Sequence, residues 1–146
     1  MQSAQSKTAP GCESSTDGTS QRKTGTLLIV DADTIMRRLM REVLESEGYQ
    51  VLEARDALDA LLIGKSAREH VNLLLTSVAL AHMTGLDLFK QLLSVQPGMK
   101  VLFISGHLFT DLLRRGLVTQ ESEFLAKPFP LERLLEKVRR MFNEAP

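Results

Sequence analysis

Hydrophobic and polar positions along the chain keep two alternating rhythms. "TLLIVD", Thr26 to Asp31, is a continuous apolar run of strand length that ends on an acid, the pattern of a strand covered on both faces. From Thr34 the period lengthens: Ile35, Met36, Leu39, Met40, Val43 and Leu44 recur at helical spacing, with Arg37, Arg38, Arg41 and Glu42 between them. Gly48 is the kind of residue favoured just past a helix end. "YQVLEA" predicts a second strand and Ala57 to about Lys65 a second helix. "VNLLLT", running into Ser77, predicts a third strand, and Leu86 to Val95 a third helix that Pro97 and Gly98 break. "KVLFIS", Lys100 to Ser105, is the fourth strand, and Leu108, Phe109, Leu112 and Leu113 mark a fourth helix closing near Gly116. "EFLA" is a short fifth strand, after which Leu131, Leu134, Leu135, Val138, Met141 and Phe142 trace a final amphipathic helix.

Strands alternating with helices, with no hairpin signal between them, predict an α/β fold: a parallel sheet with helices on both faces. Right-handed crossovers leave few topologies, of which the doubly wound, flavodoxin-like order 2-1-3-4-5 is the commonest at this size. The loops after strands one, three, four and five then gather at the carboxyl edge of the sheet, where open α/β folds place their chemistry. That order brings Asp31, Ser77, Ser105 and Lys127 together. The folded domain is expected over residues 26–143. Residues 1–25, made of Ser, Thr, Gln, Gly and charge, are expected to form a disordered leader or linker. No output domain is expected to follow the last helix, although a piece of a larger sensor protein would read the same way.

Composition narrows the class. The 146 residues suit one domain, with enough apolar content for a core. Lysine and arginine balance aspartate and glutamate, 18 against 18, so no basic field points to nucleic acid or an anionic membrane surface. Cys12 is the single cysteine, which excludes a disulfide within the chain. The amino terminus lacks the apolar run of a signal peptide, and no stretch reaches the roughly 18 apolar residues of a membrane span. A cytoplasmic protein is the expectation.

Four strings carry the candidate chemistry: "LLIVDAD", "MTGLDLF", "VLFISG" and "FLAKPF". In this order and at this spacing they resemble the receiver domain of two-component response regulators, over Thr26 to about Asn143. The longer string "SGHLFTDLLRRGLVTQESEFLAKPF" is similar to receivers attached to the carboxyl end of hybrid sensor kinases. The resemblance implies a phosphoryl-transfer site. In the family an aspartate ending the third strand attacks a phosphohistidine, and adjacent acids after the first strand hold Mg²⁺. A Ser or Thr after the fourth strand and a Lys after the fifth contact the phosphoryl group. Matched residue by residue, the acid pair falls on Asp31 and Ala32, the phosphoacceptor on Ser77, the hydroxyl on Ser105 and the lysine on Lys127. The aromatic switch position falls on Phe124, and the resemblance implies a cis peptide between Lys127 and Pro128.

Both departures strike the chemistry. An aspartate forms a labile mixed anhydride, whereas a phosphoserine is a slowly hydrolysed ester, and a serine needs a general base to attack at all. Ala32 removes a hard oxygen ligand, so Asp31 is left as a weak or lost Mg²⁺ ligand. The degenerate pocket predicts a pseudo-receiver: a non-enzymatic signalling module without cofactor, independent of phosphorylation. It would act by contact with a sensor kinase, another regulator or a second copy, through the fourth and fifth helices and the strand between them.

Other readings stand beside this one. Asp31 is either a remnant ligand or, as favoured here, the ion-pair partner of Lys127. Asp33 is either a displaced metal acid or, as favoured, the N-cap of the first helix. Ser105 is a vestigial phosphoryl contact or a plain helix cap. Phe124, without a hydroxyl, reads as packed rather than switching. His82 and His107 read as loop histidines, since no ligand-spaced acid or cysteine supports a metal. Arg37–Arg38, Arg114–Arg115 and Arg139–Arg140 read as solvated helix faces, while "ALLIG", Phe109 and Leu117 hint at a partner surface. Two functional alternatives remain: a working receiver phosphorylated on Ser77 or Asp33, and a small nucleotide or flavin binder. The second needs a hydroxyl- and glycine-rich loop aimed at phosphate, where this chain has "DADT".

Overall fold

A computed structural model of the chain describes residues 25–143, so the expected leader lies outside the described residues apart from Gly25. Elements alternate as β1 (Thr26–Val30), α1 (Thr34–Ser46), β2 (Gln50–Ala54), α2 (Ala57–Ser66), β3 (Leu73–Ser77), α3 (Gly85–Leu93), β4 (Lys100–Ser105), α4 (Phe109–Arg114), β5 (Glu123–Ala126) and α5 (Leu131–Asn143). The strands form one parallel sheet in the order β2-β1-β3-β4-β5. This is the flavodoxin-like topology expected from the alternation. Leu27, Leu28, Ile29, Leu73, Leu74 and Leu75 are 0–1% exposed, because β1 and β3 are central and buried on both faces.

The two faces carry separate cores. Leu27, Ile29, Leu73 and Leu75 pack with Met40 and Leu44 of α1 and Leu134, Val138 and Met141 of α5. Leu28, Val30 and Leu74 pack with Ala57 and Ala60 of α2 and Leu88 and Leu92 of α3. A third cluster of Val78, Phe103, Leu112 and Val118 sits under α4. Buried Gln96 ties the second face together. Its Oε1 accepts from Val71 N at 2.8 Å and its Nε2 donates to Gly64 O at 3.0 Å. No helix among the described residues is long and apolar enough to cross a membrane.

Three expectations are corrected. The inward stripe of α1 is Arg37, Met40 and Leu44, while Ile35 and Leu39 are 74% and 44% exposed. Arg37 is therefore not on a solvated face; it is 8% exposed and held by Asp31, just beyond β1, and Glu53 on β2. Phe109 and Leu117 are partly buried against the third cluster rather than free, because the short α4 needs them to cover Phe103. Ser105 does not cap α4, whose N-cap position is Leu108 without a side-chain hydrogen bond.

Candidate functional site

The register of the sheet builds the site. Val30 pairs with Thr76, Ser77 with Ile104, and Ser105 with Ala126, so Asp31, Ser77, Ser105 and Lys127 all stand at the carboxyl edge. Lys127 N donates to Ser105 O at 2.8 Å, carrying the β4–β5 ladder to the edge itself. The Lys127–Pro128 peptide is cis.

Asp31 is 5% exposed, and its carboxylate is engaged on both oxygens. Oδ1 accepts from Asp33 N at 2.9 Å, and Oδ2 faces Lys127 Nζ at 3.6 Å. Asp33 in turn caps α1, accepting from Ile35 N at 3.1 Å and Met36 N at 3.2 Å. A carboxylate committed to a helix cap and exposed beyond the edge does not replace the acid missing at Ala32, which is itself exposed.

Ser77 ends β3 half-buried, and among the described residues its hydroxyl has no hydrogen-bond partner. Its main-chain oxygen is surrounded instead. Thr76 Oγ1 donates to it at 3.0 Å, and Gly85 stands so near that an added Cβ would fall 2.4 Å from it. The intervening loop is pinned by the Ala79–Thr84 bridge, by Gly85 N donating to Val78 O at 2.7 Å, and by Thr84 capping α3. Glycine in "MTGLDLF" is thus required by close backbone approach.

Ser105 is 9% exposed and its Oγ accepts from His107 N at 3.0 Å, closing a local turn beyond β4. Phe124 packs on Phe109 with ring centroids 5.3 Å apart, in a tilted arrangement that anchors α4 to β5. His82, with φ of 80°, and His107 are exposed. No three His, Cys, Asp or Glu side chains gather among the described residues in a way that could hold a metal ion. Mg²⁺, which the family implies, needs several hard oxygens. This edge offers one carboxylate, already engaged by an N–H and an ammonium, so the residues present do not fit that ion.

Sequence reasoning misses Arg37. Its Nη1 donates to Asp31 O at 2.6 Å and its Nε to Glu53 Oε1 at 2.8 Å, while Arg41 takes Glu53 Oε2 at 2.7 Å. Burial alone would push the Glu53 carboxyl up. The hydrogen bonds from Arg41 and Arg37 outweigh it and hold the carboxyl below the ordinary glutamate value. One signal points to it: Glu53 interrupts the apolar strand "YQVLEA", and a charged residue in a strand flanked by apolar ones calls for a buried partner.

Comparison with known proteins agrees with this architecture. The model of the response regulator receiver domain matches residues 27–139. The response regulator receiver protein CpdR of Brucella abortus (strain 2308) is 28% identical over 119 residues, 82% of this chain and 98% of that protein. The sensor kinase CckA of the same organism is 29% identical over 119 residues, but the chain spans only 13% of its length. Among solved structures, the receiver domain of the hybrid histidine kinase CckA superposes with a TM-score of 0.69 at 28% identity, covering 82% of this chain and 100% of that one. A family match across nearly the whole described fold, with the strand order to go with it, decides the assignment: this chain belongs to the response regulator receiver domain family.

Proposed function

We propose that this chain is a receiver fold used for protein contact rather than for phosphoryl transfer, a non-enzymatic module of a two-component pathway. The observation that carries the reading is the state of Ser77. A serine attacks only when a base takes its proton, and here the hydroxyl has no partner among the described residues. Ala32 and the internally engaged Asp31 support the same reading, because the charge of a transferring phosphoryl group would find no metal to neutralise it. The partner is a signalling protein such as a sensor kinase or another regulator, or a second copy of the chain. Nucleic acid and membrane play no part in it.

The test is a titration with Mg²⁺ and beryllofluoride, followed by ¹H–¹⁵N NMR, of the wild type and of the Ser77→Asp, Ala32→Asp double variant. The wild type should show no saturable response and the double variant a partial one. Label carried from a phosphorylated kinase onto the wild type, and abolished by Ser77→Ala, would sink the proposal.

A further inference from the structure

Helix α2 buries only small residues fully and leaves two leucines outward, while Leu61 and Ile63 pack partly buried against the second cluster. Its buried positions are Ala57, Ala60 and Gly64. Gly64 lies so close to α3 that an added Cβ would come within 2.4 Å of Leu92 Cδ2. Leu58 and Leu62, one turn apart on the outer face, are 49% and 68% exposed. Surface helices ordinarily do the reverse, placing leucines on the core stripe and polar residues outside. A lone exposed leucine needs no explanation. Two in register, on a helix whose fully buried positions are only Ala and Gly, do.

The charges around them indicate what covers the face. Helical spacing continues the leucine strip into Lys65 at one end, and Arg55 precedes it at the other. Lys65 is exposed and has no ion-pair partner among the described residues. The Arg55 side chain is 76% exposed, its only ion pair among the described residues a 4.0 Å approach to Asp59. The outer side therefore presents Arg55 from the loop before α2, with Asp59 beside it, then Leu58, Leu62 and Lys65. A second copy packed antiparallel would set Arg55 against the other copy's Lys65, and like charges repel.

We infer that the outer face of α2 docks an acidic amphipathic helix of another protein, with two large aliphatic residues at i and i+4 on Leu58 and Leu62, and Asp or Glu beyond them facing Arg55 and Lys65. This rests on the contact reading and supplies a surface for it. The two proposals fail separately, because labelling reports on the Ser77 hydroxyl, and helix binding reports on the Leu58, Leu62 and Lys65 side of α2.

The experiment uses the full chain and two synthetic helical peptides. Both carry leucines at i and i+4; one has Glu at i−3 and i+7, the other Lys at the same places. NMR titration should show the Glu peptide shifting α2 amides and binding at least tenfold more tightly than the Lys peptide. Leu62→Ser should raise Kd at least tenfold with an unchanged unfolding midpoint. Lys65→Glu should weaken the Glu peptide and strengthen the Lys peptide, a readout that a folding defect does not mimic. Equal binding of the two peptides, no binding at millimolar peptide, or shifts confined to other helices would overturn the inference. Leucine-dependent self-association, or leucine-dependent uptake on phosphatidylglycerol vesicles, would equally overturn it by assigning the face to another occupant.

Discussion

Arg37 reaches back from the first turns of α1 and donates to the main-chain oxygen of Asp31 at 2.6 Å. One guanidinium thereby fixes the loop that carries the remaining site carboxylate, and its Nε joins that loop to β2 through Glu53. Planar, fixed donors suit this better than a single ammonium.

Replacing Arg37 by Met should cost about 2–4 kcal/mol, because Glu53 loses a buried partner and a carbonyl loses its donor. Arg37→Lys should recover little of it. Urea unfolding with an unchanged m-value measures both. A loss below about 1 kcal/mol would show that the network is solvated.

The same network makes stability depend on acid. Glu53 has a folded-state value below its unfolded one, so its contribution is full above the ordinary glutamate range of about 4.3 and fades as pH falls through the depressed value. Between pH 5 and 3 the melting temperature of the wild type should drop more steeply than that of Glu53→Gln. Parallel curves would remove Glu53 from the account.

Gly85→Ala should destabilise by about 1–3 kcal/mol, since the new methyl meets the Ser77 carbonyl oxygen, which belongs to a central strand and has little room to move. Amide shifts in NMR should centre on Ser77 and Val78. A neutral substitution would show that the β3–α3 loop yields.

Phe109 and Phe124 should be coupled. A double-mutant cycle to Ala is expected to give an interaction of about 0.5–1.5 kcal/mol, read from denaturant midpoints. Additive effects would mean that α4 is not held to β5 through these rings.

Much of this architecture is legible in the amino-acid sequence. Strands buried on both faces announce themselves as unbroken apolar runs, and Ser77, Ala32 and Lys127 can be placed because each lies just beyond or at the end of such a run. Asp33 is legible as a cap because capping is local. Arg37 is not. Its apolar neighbours make an arc wide enough to face inward along either of two adjacent stripes, and the choice is made by Glu53 and the Asp31 carbonyl, groups on other elements. Ser105 fails similarly: its hydroxyl closes a turn with His107, and nothing in the string distinguishes that from a helix cap.

Gly25, at the amino edge of the sheet, has no room for a side chain, because an added Cβ would lie 2.3 Å from the ring of Phe142 at the end of α5. The fold is thus entered and left at a single point, opposite the edge that carries Ser77. Joining residue 143 to residue 25 by a short linker, and reopening the chain in an exposed loop, should preserve the fold. A cargo fused at either point would hang beneath the sheet and leave the Ser77 edge open to solution.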